Sequence, residues 1–162
     1  MPSNARPENP GDRAPSTAYE GPEESPGYLL WRATLLWQRT VRDALAPHEL
    51  THVQFVILAS AWWLAQHGRR PTQKDIAAHA ASDQMMASQV LRRLEAKGLV
   101  SRVADPDDSR AMIVALTGEG RARLTAALPD VEAADEAFFS ALGEHRRRFT
   151  ADLAQLSRTV DR

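Results

Sequence analysis

Between Pro71 and Gly98 the chain carries two short helical patterns separated by a turn of about two or three residues. Thr72 followed by Asp75 has the form of a capping box, and Ile76, Ala77 and Ala80 supply an apolar side to the short helix behind it. Ser82 or Asp83 caps the next pattern, over 83–97, and Gly98 suits the left-handed position that ends a helix. Helix, tight turn and helix in about 27 residues is the spacing of a helix-turn-helix. Two short extended runs follow at once, 99–104 and 111–116, around Asp105-Pro106-Asp107-Asp108-Ser109-Arg110. Alternating apolar runs that bracket turn-forming residues predict an antiparallel hairpin, a wing. The expected fold class is therefore mainly α with a small antiparallel β wing.

The flanking segments agree with that class. Over 28–46 the residues Leu29, Leu30, Ala33, Leu36, Trp37, Val41 and Leu45 recur at helical spacing until Pro47 closes the pattern. Thr51 with Gln54 forms a second capping box, and the helix behind it is apolar nearly all round, as in the middle of a fold. Thr117 caps a further helix, expected to be interrupted or kinked at Pro129. The stretch 131–160 reads as one long or two broken helices along Phe138, Phe139, Leu142, Phe149, Leu153 and Leu156. Residues 1–27 hold six prolines and no apolar periodicity, so they are expected to be a disordered tail before a single domain over 28–162.

Composition removes several function classes. The chain has no cysteine, which excludes a disulfide framework, a thiolate zinc site and a thiol nucleophile. The five histidines include no helical pair except His48 and His52 across a turn, so no metal is expected. There is no phosphate-cradling glycine loop and no nucleophile elbow, and the expectation is not an enzyme, with no cofactor. The longest apolar stretch, 55–65, is about half of the roughly 20 residues a membrane span needs, and no signal peptide is evident; a cytoplasmic protein with no membrane partner is expected. The net charge of −1 is an average: residues 1–25 carry −3, whereas 69–123 hold ten basic and seven acidic residues. A nucleic-acid partner belongs on that second segment.

On a 3.6-residue wheel, Ala87, Val90, Leu91 and Leu94 form the buried face of the helix over 83–97, leaving Met85, Ser88, Gln89 and Arg92 outward. Gln can bond adenine N6 and N7, Arg guanine O6 and N7, and Met can touch a thymine methyl. The helix N-terminus beside Gln84 and Ser88 could approach a phosphate through unpaired amides. In the hairpin, Asp108 and Arg110 lie two apart, so on an extended segment the carboxylate would hold the guanidinium, and an arginine so fixed suits a narrow minor groove. The bland alternatives are a solvated helix face and ordinary turn residues with a weak surface ion pair.

Three linked motifs give the chain a resemblance. Thr72-Gln73-Lys74-Asp75-Ile76-Ala77, then Leu94-Glu95-Ala96-Lys97-Gly98-Leu99-Val100-Ser101-Arg102, then Asp105 to Ala111 continuing to Leu116-Thr117-Gly118-Glu119-Gly120, resemble in order and spacing the MarR family of bacterial transcription regulators, named for multiple antibiotic resistance. The resemblance covers about 28–160. It implies a winged helix-turn-helix homodimer joined through N- and C-terminal helices, here 28–46 and 130–160, with the DNA-binding part at about 51–117. It implies that Gln84, Met85, Met86, Ser88, Gln89 and Arg92 read the major groove of double-stranded DNA, and that Arg110, positioned by Asp108, enters the minor groove. Where many members place Thr, Ser or Arg at the start of the recognition helix, this chain has Gln84-Met85-Met86, so its operator cannot be borrowed.

The resemblance also implies a repressor of a pseudo-palindromic operator, released by a small aromatic ligand between the dimerisation helices and the winged domain. Trp31, Trp37, His52, Trp62 and Trp63 are the candidates to line that crevice, the alternative being plain core aromatics. The absence of cysteine removes the family's peroxide-sensing branch. An acidic stretch (Asp130, Glu132, Asp135, Glu136, Glu144) and a basic one (Arg146, Arg147, Arg148) suit a self-complementary two-fold interface with Phe138, Phe139 and Phe149 as anchors, or else form ordinary intrachain pairs. The competing function is a winged helix used only for protein contacts, without a DNA target.

Overall fold

In the computed structural model the described residues are 17–108 and 110–159. They form α1 (Pro26–Leu45), α2 (His52–Gln66), α3 (Gln73–His79), α4 (Gln84–Ala96), β1 (Val100–Ala104), β2 (Met112–Leu116), α5 (Gly118–Phe139) and α6 (Arg146–Thr159), with 3-10 turns at Pro22–Glu24, Ala46–His48 and Ser140–His145. The chain divides into two compact units, one ending at Leu35 and the other running from Leu36. In the first, α1 begins and leaves Leu29, Leu30 and Trp31 exposed, with the Trp31 ring 5.9 Å from that of Tyr28.

The second unit holds the core. Val41 and Leu45 of α1, Ile57 and Leu58 of α2, Ile76 of α3, Leu91 and Leu94 of α4, Leu99, Val114 of β2 and Leu124 of α5 are almost wholly buried. Each such side chain contributes about 1.5–3 kcal/mol on burial, so the periodic apolar residues decide which face of each helix turns inward. Both capping boxes are present. Thr51 accepts from Gln54 N and the Gln54 side chain from Thr51 N; Thr72 and Asp75 do the same. The wing is an antiparallel pair in the register Val100↔Leu116 to Ala104↔Met112. Its root is tied to the helix-turn-helix, because Val114 N donates to Pro71 O at 2.9 Å.

Of the interruption or kink expected at Pro129, the interruption is absent, and of the one long or two broken helices expected beyond 131 the chain has two. Helix α5 runs unbroken through Pro129. Proline forfeits one backbone bond, but buried Leu124, Ala127 and Val131 hold the turns on either side of it in the core, and that packing outweighs the local loss. The break comes later, at Gly143, whose φ of 51° and ψ of −129° end the helical path before α6. Among the described residues of α6 none is fully buried in this chain. The expected tail over 1–27 falls largely outside the described residues.

Candidate nucleic-acid interface

The turn into α4 is short because the chain reverses at Ala81, whose φ of 47° lies in the left-handed region. Ser82 N donates to Ala77 O and Ala81 N to Ala78 O, which closes α3 as a Schellman motif with alanine where glycine is usual. Asp83 then caps α4. Its Oδ1 accepts from Met85 N at 2.9 Å and Met86 N at 3.0 Å. Two of the first-turn amides that an incoming phosphate could use are thus already bonded to a carboxylate, whose charge disfavours a second anion there.

Ala87, Leu91 and Leu94 of α4 are buried, Val90 and Ser88 are half-buried, and Gln84, Met85, Met86, Gln89 and Arg92 face solvent. A base-reading helix needs this division, because an α-helix in the major groove presents one face to the base edges while the opposite face rests on its own protein. Arg92 meets no carboxylate among the described residues, whereas Arg102 is held by Glu95 Oε2 at 2.9 Å from Nε, fastening β1 to α4. That contact draws the Glu95 carboxyl below its ordinary pKa.

At the wing tip the segment is a turn rather than an extended strand, and this changes how Asp108 acts. Its Oδ1 accepts from the backbone N–H of Arg110 at 3.0 Å, and no bond joins the carboxylate to the guanidinium. Asp108 therefore sets the main chain of Arg110 and leaves the guanidinium without a carboxylate partner among the described residues, available to a phosphate or a groove. A cleft of about 530 Å³ lies between the wing tip and the starts of α3 and α4, lined by Thr72, Gln73, Lys74, Gln84, Asp108 and Arg110 among others.

Lys74 and Gln73 in that cleft were missed by the wheel of α4 alone; the signal for Lys74 was a lone lysine in the first turn of a helix next to the recognition helix. Arg70 was missed too. Its guanidinium spans to Asp105 at 3.3 Å and Asp107 at 3.8 Å, which ties the wing tip to the segment before α3. The pairs are exposed, so their effect is placement of the loop more than stability.

The five ligand candidates do not gather in one place. Trp37 and His52 meet edge to face with ring centroids 5.0 Å apart, and Trp37 Nε1 donates to Asp135 Oδ1 at 2.7 Å. Burial pushes the His52 imidazole pKa down, against the opposing pull of Asp135. Trp62 instead lines a groove with Arg69, Arg70 and Ile113, while Trp63 stacks between His67 and His79. Trp31 belongs to the first unit. Of the acidic stretch on α5, Asp130 pairs with His48 at 2.7 Å, Asp135 holds Trp37 and Glu136 pairs with Arg146, so part of the charge is used within the chain. Phe139 touches both Phe138 and Phe149. Among the described residues no three potential metal ligands come together, and no helix is long and apolar enough to cross a membrane.

Residues 50–112, which run from the end of the turn before α2 to the first residue of β2, match the model of the MarR family. The HTH-type transcriptional regulator YdcH of Bacillus subtilis is 46% identical over 138 residues, covering 85% of this chain and 93% of that protein. The chain belongs to the MarR family. Among solved MarR-type structures, the repressor CouR on a 23-mer DNA duplex superposes with a TM-score of 0.72 at 31% identity, covering 91% of this chain and all (100%) of that one. BpsR of Bordetella bronchiseptica, whose DNA binding is regulated by 6-hydroxynicotinic acid, gives 0.74 at 27% identity, over 92% and 99%. This MarR protein is thus a DNA-binding transcriptional regulator with a winged helix, not an enzyme.

Proposed function

We propose that the chain works as a homodimeric repressor of a pseudo-palindromic operator, with Gln84, Met85, Met86, Ser88, Gln89 and Arg92 at the major groove and Arg110, set by Asp108, at the minor groove. The observation that carries the reading is the division of α4: three fully buried apolar residues behind, and an unpaired arginine with glutamines and methionines in front, beside an unpaired wing arginine. Such a face has hydrogen-bonding chemistry for base edges and, apart from Met85 and Met86, lacks the large apolar centre that a protein-binding face needs.

The segments 28–46 and 130–160 are the dimerisation helices, and about 51–117 is the part that touches DNA. Leu29, Leu30, Trp31, Leu35 and Leu36 are exposed on α1, and Leu156 is exposed on α6, so both present apolar or aromatic surface that a second copy would cover. A two-fold dimer places two copies of α4 on half-sites about one helical turn apart. Release follows when a small aromatic ligand enters beside Trp37 and His52, next to α1 and α5; the dependence of BpsR on 6-hydroxynicotinic acid supports this by likeness.

Two substitutions test the DNA reading. Arg92→Ala or Gln89→Ala costs about 1–3 kcal/mol on the selected operator and little on random DNA, measured by fluorescence anisotropy. Equal losses on both would remove the base-reading role and leave the protein-contact alternative. Arg110→Ala weakens binding and lowers the slope of log affinity against log salt by about one. An unchanged slope and affinity would remove the wing from the interface.

A further inference from the structure

We infer that the first turn of α4 selects A·T pairs through the thymine 5-methyl group, with Met85 and Met86 as the contact and the free Asp83 carboxylate oxygen as an acceptor that disfavours guanine beside it. The inference deepens the reading of α4 as the recognition helix and rests on it.

Three observations meet at this turn. Met85 and Met86 are 72% and 44% exposed, whereas Ala87, Val90, Leu91 and Leu94 of α4 are buried or half-buried and the small Ala96 at its end is the one other exposed aliphatic residue. Neither methionine is needed for the core, and an uncovered thioether on a solvated helix gains nothing until something apolar covers it. Second, both capping bonds of Asp83 fall on Oδ1. The other carboxylate oxygen has no partner among the described residues and leaves a negative acceptor beside the methionines. Third, two of the amides that usually draw a phosphate to a helix start are the ones Asp83 has taken.

In the major groove the one apolar feature of a base edge is the thymine methyl, and the A·T pair sets the adenine N6 amino group beside it. A methionine covers the methyl, and a carboxylate oxygen accepts from the amino group. Guanine offers N7 and O6 at the same place, two acceptors that repel the carboxylate, and a cytosine amino group, from which a carboxylate also accepts, brings no methyl for the methionines to cover. Gln89 lies four residues beyond Met85 on the same face, and its amide is suited to a neighbouring adenine. The tip and the body of the recognition face therefore favour the same kind of base pair, and the flexible thioether lets Met85 follow the methyl without an exact fit.

The experiment uses the full chain. A site is selected from random duplexes, and the recovered sequence is resynthesised with each thymine in turn replaced by deoxyuridine, which lacks only the methyl. Wild type, Met85→Ala, Met86→Ala and Asp83→Asn are titrated on each duplex, with circular dichroism as the control for folding. Losing one covered methyl weakens wild-type binding about fourfold at one or two positions per half-site. At such a position Met85→Ala or Met86→Ala binds the thymine duplex more weakly and no longer distinguishes it from the deoxyuridine duplex. Asp83→Asn keeps the cap and binds random DNA more tightly, with a reduced preference for A·T. A selected site on which every deoxyuridine is neutral, or on which both alanine variants still discriminate as wild type does, overturns the inference while leaving α4 as the recognition helix. Failure to select any site overturns the recognition-helix reading itself, and the inference with it.

Discussion

Gly120 is the residue whose smallest change has the most legible effect. A Cβ built on it would lie 1.9 Å from the carbonyl oxygen of Leu99 and 2.8 Å from its carbon, both backbone atoms that no rotamer can move aside. A tolerable contact requires α5 and the chain before β1 to separate by roughly 1 Å or more. Two hydrogen bonds cross that seam, and a third closes the first turn of α5 on its cap. Thr117 N donates to Leu99 O at 3.1 Å, Thr117 Oγ1 donates to Gly98 O at 2.6 Å, and Gly120 N donates to Thr117 Oγ1 at 3.0 Å. At about 1 kcal/mol each the two crossing bonds total about 2 kcal/mol, against which the helix propensity of alanine over glycine returns about 1 kcal/mol. Gly120→Ala is therefore expected to destabilise by about 1 kcal/mol or more. Gly118, two residues earlier in the same helix, has nothing within 4 Å of its Cβ position, so Gly118→Ala is expected to gain up to about 1 kcal/mol. Urea unfolding at one protein concentration, followed by circular dichroism, reads both. A Gly120→Ala protein as stable as Gly118→Ala would refute the close approach and with it the described seating of α5 on the wing root.

The remaining predictions concern the turn of the helix-turn-helix and the Trp37 environment. Ala81→Gly relieves a side chain held at φ 47° and raises stability by about 1 kcal/mol in the same assay; a loss would mean that the turn is not left-handed there. His52, whose pKa is lowered by burial, binds its proton more readily in the unfolded chain than in the folded one. Its contribution is complete above about pH 6.5 and is lost as pH falls through that value towards the lower folded pKa. Unfolding at pH 7.5 and 5.5 is expected to show a difference that His52→Gln reduces, and an unreduced difference would assign the pH dependence elsewhere.

Much of this architecture was legible because it is written in local chemistry. The pairs Thr51 with Gln54 and Thr72 with Asp75 are reciprocal bonds between residues three apart, so spacing alone predicts them, and the hairpin follows from turn residues between apolar runs. What resisted reading depends on neighbours distant in sequence. Pro129 marks a break in isolation, yet the core on both sides of it carries the helix onward, and Gly143 ends it instead. Asp108 and Arg110 are two apart, but the alternation that would align their side chains holds on a strand and not in the turn they occupy, so the contact runs through the backbone. The outward face of α4 was legible from its period, whereas the closure of its first amides by Asp83 and the tie from Arg70 to the wing needed coordinates. Five aromatic candidates looked like one crevice because composition carries no direction; Trp62 and Trp63 are adjacent in sequence and point 100° apart on a helix, into different surroundings.

The most direct test of the central claim is selection of sheared genomic DNA by the purified chain, followed by titration of the recovered fragment and of random DNA at two salt concentrations. The account predicts an inverted repeat with half-sites about one helical turn apart, bound at least about a thousandfold tighter than random DNA. Enrichment of no sequence, with binding equal on all fragments and governed by salt alone, would contradict it.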